Sequence, residues 1–170
     1  FITGLGNVGG YLMQQINNQK KFIAKNLKLN LKVLGISNSK KMVISDSEID
    51  LNNWSKLLDR SKLKADFNNF QNKILELNLR NSLFVDNTAS DIIPLSYSKY
   101  LKNGVGIITC NKIANSVEYS NYELLKSLSR NNKTPFFYET NVGAALPVIS
   151  TLNSLINSGD KVIKIEAVLS

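Results

Sequence analysis

The segment Gly4-Leu5-Gly6-Asn7-Val8-Gly9-Gly10 constrains the fold more than any other part of the chain. Gly4, Gly6 and Gly9 satisfy the spacing G-x-G-x-x-G. The first glycine allows a tight turn from strand to helix. The second omits a Cβ where a pyrophosphate must approach the backbone, and the third lets the following helix pack closely on the sheet. The N–H groups at the start of that helix, with the positive end of its dipole, then face the phosphates. Phe1-Ile2-Thr3 reads as the end of a strand. Val8, Tyr11, Leu12 and Ile16 fall on one face of a helix expected over residues 8–25. Gly4, Gly6, Asn7, Val8 and Gly9 are therefore candidate cofactor-binding residues. A purely structural strand–helix turn is the competing reading.

A chain of 170 residues, 43% hydrophobic, suits one domain or slightly more with a sizeable core. No run approaches the ~18 consecutive apolar residues of a membrane span, so no membrane partner is expected. There is no initiator Met and no signal-peptide pattern, and the first strand is nearly absent, which reads as a piece of a longer protein. The single Cys excludes an internal disulfide and fits a reducing, cytoplasmic setting. The net charge of +8 is uneven: residues 1–45 hold seven Lys and no acid, whereas the remainder holds 14 basic and 13 acidic residues. A basic first third could attract a dinucleotide's phosphates; a solvated helix face is the simpler reading for Lys20, Lys21, Lys25 and Lys28. No basic stripe interleaves with aromatics, so nucleic acid is not an expected partner. The absence of His removes His-based triads and His metal sites.

Further along, Leu31–Ser37 reads as a second strand with a polar exit loop, Asn38-Ser39-Lys40-Lys41. An acid at this position accepts from the ribose 2′-hydroxyl of NAD, whereas a 2′-phosphate needs the acid absent and cations or hydroxyls nearby. With Ser37, Ser39 and Lys40 here and no acid before Asp46, NADP(H) is favoured and NAD(H) tolerated; an ordinary polar turn is the alternative. Trp54 and its neighbours suggest a short helix, and Phe67, Phe70, Ile74 and Leu77 an amphipathic one. Leu83–Thr88 is a buried strand with Asn87 and Thr88 at its carboxyl end, where ligands of open α/β sheets sit, although both could serve only as caps. Gly104–Cys110 is the next strand. Lys112 follows it, and can donate to a developing alkoxide or remain a surface residue. A helix over 116–129, with Tyr119, Tyr122, Leu125 and Leu128 inward, leads to a strand over Pro135–Thr140. A further helix runs to about Asn157, and an alternating strand is expected over Lys161–Leu169. The whole predicts an α/β, doubly wound, mainly parallel Rossmann-type sheet over residues 1–157. Residues 158–170 are expected to begin a second, substrate and dimerisation domain.

Five segments, in order, resemble the cofactor-binding half of homoserine dehydrogenase, particularly the form fused to an aspartate kinase: Gly4–Gly9, Ser37–Lys40, Val85–Thr88, Thr109–Lys112 and Tyr138–Pro147. The likeness covers essentially the whole chain. It implies reversible conversion of L-aspartate 4-semialdehyde to L-homoserine with NAD(P)H, in threonine and methionine biosynthesis. Lys112 would lie between nicotinamide and substrate as the catalytic residue, and Thr88 beside the nicotinamide ribose. A monovalent cation such as Na⁺ would bind the Glu139 carboxyl group and the carbonyls of Val142, Ala144 and Leu146. The family's Ser-Gly-Thr segment would begin at Ser170, most substrate contacts would follow it, and the full-length protein would be a homo-oligomer with a fused kinase. Cys110 stands where the family usually has Ala, and Ala145 where Gly is common. A non-catalytic NADP(H)-sensing module, or an oxidoreductase for another semialdehyde, would share these features.

Overall fold

The computed structural model describes residues 1–168. Its strands are β1 (Ile2–Thr3), β2 (Gly35–Ser37), β3 (Met42–Ile44), β4 (Leu83–Asp86), β5 (Gly106–Thr109) and β6 (Phe136–Phe137). Its helices are α1 (Asn7–Phe22), α2 (Trp54–Arg60), α3 (Phe67–Leu77), α4 (Tyr97–Lys102), α5 (Ile113–Ser116), α6 (Tyr119–Asn131) and α7 (Val148–Asn157). The sheet order is β3-β2-β1-β4-β5-β6. Every pair is parallel except β2–β3. The order winds outward from β1 in both directions, as a doubly wound sheet requires. A crevice therefore opens at the carboxyl ends of β1 and β4, where the winding reverses.

Strand side chains alternate between two faces, and each face has its own core. On one, Phe84 and Ile107 pack with Phe70, Ile74, Tyr97, Tyr100 and Leu125. On the other, Ile2 and Ile36 pack with Met13, Ile49, Leu51 and Leu58. Phe84 stacks on Tyr100 with ring centroids 4.4 Å apart. Fully burying a side chain such as Phe84 contributes about 1.5–3 kcal/mol.

Several elements differ from the sequence expectation. Helix α1 buries Gly9 and Met13, while Val8 and Tyr11 are 58% and 69% exposed. Leu12 and Ile16 do pack against the Ile2 cluster. The helix is pulled onto the turn at Gly9, so its contact line runs along the small residue and turns Val8 outward. Strand β2 forms only over its last three expected residues. Strand β3, for which the sequence reading had no element, folds back on it to make a hairpin. The chain then runs along β3: Met42 N–H donates to the Leu63 carbonyl at 3.2 Å and Ala65 N–H to the Lys40 carbonyl at 2.9 Å. The helix expected over 116–129 forms as α6, Tyr119–Asn131, with the short α5 ahead of it; Leu125 is buried, but Tyr119 stays exposed and leans on Tyr122 with centroids 6.0 Å apart. Only Phe136–Phe137 of the strand expected over Pro135–Thr140 joins the sheet, and Glu139 falls in a 3-10 turn, Glu139–Asn141. Residues 161–168 are exposed and without regular structure, so the strand expected over Lys161–Leu169 does not form there. An alternating segment is not a strand until another strand accepts its ladder bonds. Leu169 and Ser170 lie outside the described residues. Among the described residues no helix is long and apolar enough to cross a membrane.

Candidate functional site

The three glycines of the first turn answer to three different demands. Gly4 has φ +82°, and a Cβ there would lie 2.6 Å from the Asn87 carbonyl carbon. Its N–H donates to the Ser37 carbonyl at 3.0 Å, while Asn87 N–H donates to the Thr3 carbonyl at 3.0 Å, so the turn is laced to both neighbouring strands. A Cβ on Gly9 would lie 2.2 Å from the Gly4 carbonyl oxygen, which only a glycine avoids. Gly6 is exposed, and a Cβ added there would meet no atom within 4 Å. It caps α1 with no side-chain hydrogen bond, so no cap side chain covers the first N–H groups of this 16-residue helix. This bare backbone is a cradle that a side chain would fill, and it suits a phosphate group.

The crevice encloses ≈ 820 Å³. Gly4 and Gly6 line it from the turn, Ser37, Ser39 and Lys40 from the hairpin, and Asn87 and Thr88 from the end of β4. Seven of the expected cofactor-binding residues thus share one wall system. Asn7, Val8 and Gly9 begin α1 just behind the turn and do not line the crevice; Gly9 is buried. The hairpin's shape comes from Asn38, whose Oδ1 accepts from Lys40 N–H and Lys41 N–H, both at 2.8 Å. That turn leaves Ser39 and Lys40 exposed at the rim. Ser37 is buried instead, its hydroxyl bonded to Thr3 Oγ1 at 2.7 Å. Asn87 Nδ2 is buried without a hydrogen-bond partner among the described residues, an orphaned donor beside the crevice.

Sequence reasoning missed part of this lining. Asp59, Asp66, Phe67, Ile92 and Ile93 also face the crevice. Two acids therefore share a cavity with Lys40, and the apolar residues offer contact to a flat ring. No local pattern announces Asp59, Asp66 and Phe67, because they arrive through the pairing of Ala65 with Lys40, whereas Ile92 and Ile93 follow the end of β4. Ser90 Oγ accepts from Ile92 N–H at 3.2 Å and shapes the turn after β4.

At the carboxyl ends of β4 and β5, Asp86 pairs in register with Thr109. The Asp86 carboxylate is fully buried. Thr88 N–H and Oγ1 donate to its Oδ1 at 2.8 and 2.7 Å, and Tyr97 OH and Asn111 Nδ2 donate to its Oδ2 at 2.6 and 3.3 Å. Burial first, and then the neighbouring Asp86, push the Tyr97 hydroxyl far above the ordinary tyrosine range, so it keeps its proton. Lys112 follows Asn111, is exposed, and starts α5; it stands at the same end of the sheet as Thr88 but not on the crevice lining. Cys110 lies between them, its Sγ 3.8 Å from Asn87 Oδ1. Burial, reinforced by Asp86, pushes its thiol up, which is the wrong direction for a nucleophile.

The loop after β6 carries the expected cation ligands. Glu139 accepts from Ile149 N–H and Ser150 N–H, one to each carboxylate oxygen and both at 2.8 Å, and so caps α7. The Leu146 carbonyl accepts from Val148 N–H at 2.9 Å. Gly143 and Ala144 take left-handed φ of +70° and +51°, so the turn is made there and not at Ala145. The set Glu139, Val142, Ala144 and Leu146 therefore lies on one short loop with oxygen donors only, the donor type a hard monovalent cation accepts. Each carboxylate oxygen keeps a further lone pair beyond its helix bond.

A family model described as the NAD-binding domain of homoserine dehydrogenase matches residues 4–139. The chain belongs to the homoserine dehydrogenase family. It is 39% identical over 170 residues to the chloroplastic bifunctional aspartokinase/homoserine dehydrogenase 2 of Zea mays, covering 99% of this chain and 18% of that protein. It is 33% identical over 171 residues to the homoserine dehydrogenase of Schizosaccharomyces pombe, covering 99% and 45%. A solved hyperthermophilic archaeal homoserine dehydrogenase in complex with NADPH shares the fold, with TM-score 0.70 and 23% identity over 89% of this chain and 46% of that one. The chain spans less than half the length of these relatives. Within the homoserine dehydrogenase frame, the matched span runs from the glycine turn to the residue that caps α7.

Proposed function

We propose that this chain is the cofactor-binding half of an enzyme that interconverts L-aspartate 4-semialdehyde and L-homoserine with NADPH, and less readily NADH. The substrate half follows residues 1–157, a fused aspartokinase completes the chain, and the whole assembles as a homo-oligomer. The observation that carries this reading is the crevice itself: a bare Gly6 backbone lies between a hydroxyl- and lysine-bearing hairpin on one side and Thr88 on the other. Gly6 with the N–H groups of Asn7 and Val8 would hold the pyrophosphate. Ser39 and Lys40 would hold a 2′-phosphate, and Asn87 and Thr88 would border the nicotinamide ribose.

When bound, the cofactor supplies the hydride that adds to the aldehyde carbon. Lys112 would donate a hydrogen bond to the aldehyde oxygen as negative charge builds there, and deliver the proton that completes the hydroxyl. In the reverse direction it would take that proton back. The Glu139 loop would hold Na⁺ through Glu139 and the carbonyls of Val142, Ala144 and Leu146, a site supported by its oxygen-only donors.

Titration with NADPH and NADH tests the reading. NADPH should bind more tightly, and Lys40→Glu should narrow the gap by placing an acid where a 2′-phosphate must sit. Equal affinity for the two cofactors in the unmutated protein would remove the assigned preference. Failure to bind either would remove the function.

A further inference from the structure

Asp86 holds more of this end of the sheet together than a core residue needs to. Four donors from three places in the chain converge on its buried carboxylate. The hydroxyl protons are ordered as well. Tyr97 OH points its proton at Asp86 Oδ2, so its bond to Thr109 Oγ1, 2.8 Å long, takes the Thr109 proton. Thr109 Oγ1 then accepts from Asn111 N–H at 2.9 Å. Asn111 extends the network in three directions. Its Nδ2 donates to the Ser90 carbonyl at 2.7 Å, its Oδ1 accepts from Ile113 N–H at 3.1 Å, and its carbonyl accepts from Asn141 Nδ2 at 3.2 Å.

These bonds tie together the exit of β4, the exit of β5 and the loop after β6. They run on either side of Lys112, through Asn111 and Ile113, and they end directly on Thr88. We infer that Asp86, acting through Tyr97, Thr109 and Asn111, is the positioning residue that sets Thr88 and Lys112 in register with each other. The inference rests on the roles proposed above for those two residues. Thr88 and Lys112 come from different strands, and their separation is decided only by how the two strand ends are joined. Among the described residues no hydrogen bond joins the glycine turn to this network: Gly4 N–H donates to the Ser37 carbonyl, and Gly4 meets the Asn87 backbone and Thr88 Cγ2 by packing alone. Loosening the Asp86 network should therefore disturb the nicotinamide end of the crevice and spare the phosphate end.

The experiment uses the full-length enzyme and two ligands. NADPH would span the whole crevice, whereas 2′-phospho-ADP lacks both the nicotinamide and the ribose that carries it. Tyr97→Phe, which removes one donor and keeps the ring, should lower kcat by about 10- to 100-fold, the scale of a small misplacement of reacting groups. It should leave the Kd for 2′-phospho-ADP unchanged within about twofold. Thr109→Val should behave likewise, and Thr109→Ser, which restores the hydroxyl, should recover most of the lost kcat. Asp86→Asn, which sets an amide against Asn111 Nδ2, should be the most severe if it folds; the milder variants decide the matter if it does not. A Tyr97→Phe enzyme with wild-type kcat would overturn the inference. So would parallel losses of kcat and of 2′-phospho-ADP affinity, which mean general damage. A wild-type enzyme that binds neither ligand would overturn the proposed function along with it.

Discussion

A Gly6→Val substitution sets a branched side chain at a position where the first added carbon meets no atom within 4 Å. Gly6 has φ −80°, so an L residue enters without left-handed strain. The folded chain should hardly register the change, within about 0.5 kcal/mol for an exposed position free of packing. The cofactor should register it strongly. Backbone N–H groups bonded to a charged phosphate contribute about 1.5–3 kcal/mol each, and a side chain at this point holds the phosphate away from them. Losing one such bond weakens binding roughly 10- to 150-fold. Gly9→Ala provides the opposite case, because its Cβ would fall 2.2 Å from the Gly4 carbonyl oxygen and α1 must shift off the turn. Overpacking of that kind costs about 1–3 kcal/mol of stability. Thermal unfolding and NADPH fluorescence titration on both variants separate the two effects. Gly6→Val should melt with the wild type and bind NADPH poorly, whereas Gly9→Ala should melt earlier. A Gly6→Val protein with wild-type affinity, or one destabilised as much as Gly9→Ala, would refute the assignment of the two glycines.

In the full-length enzyme Lys112→Ala should lower kcat by ~10²–10⁴-fold with little change in NADPH affinity, and Lys112→Arg should rescue poorly because the guanidinium hardly releases a proton; steady-state kinetics beside cofactor titration check this, and normal turnover would return Lys112 to the surface. Glu139→Ala removes both side-chain caps of α7 and should cost about 0.5–2 kcal/mol locally, seen as faster amide exchange at Ile149 and Ser150; unchanged exchange would mean that α7 does not depend on this carboxylate. Cys110 should be alkylated slowly at neutral pH. Its thiol is pushed up by burial and then by Asp86, so the reactive thiolate appears only as pH rises beyond the ordinary thiol range. An alkylation profile with its midpoint below that range would contradict the environment described for it.

What could be read from the sequence follows from the range over which each constraint acts. The glycine turn was legible because its demands are steric and local: φ +82° at Gly4 and 2.2 Å at Gly9 leave no other residue type. The strand ends carrying Thr88 and Lys112 were legible because a buried apolar run stops at a polar residue. Helix α3 was legible from its period, with Phe70 and Ile74 at helical spacing, while its cap, Asp66, emerged only in the fold. The hairpin strand β3 was not, since three residues carry too short an alternation to stand out from a loop. Asp59 and Asp66 lie 19 and 26 residues after Lys40 and reach the crevice through the pairing of Ala65 with Lys40, which no window on the sequence contains. Val8 and Tyr11 have the right period for burial, but the closeness of Gly9 to Gly4 rotates them out. Residues 161–168 have the period of a strand and no strand beside them.

The hairpin between β2 and β3 divides labour in a way that bears on how such a chain changes over generations. Its turn is closed by backbone pairing and by Asn38, while the exposed side chains of Ser39 and Lys40 project from it toward the crevice. With Ser39 and Lys40 in the role proposed for them, substitutions at those two positions should alter which dinucleotide is preferred while leaving the sheet unaffected. Selection for one coenzyme pool or another would meet little resistance from folding. A two-position library at Ser39 and Lys40 should yield descendants of either preference that need no compensating change elsewhere.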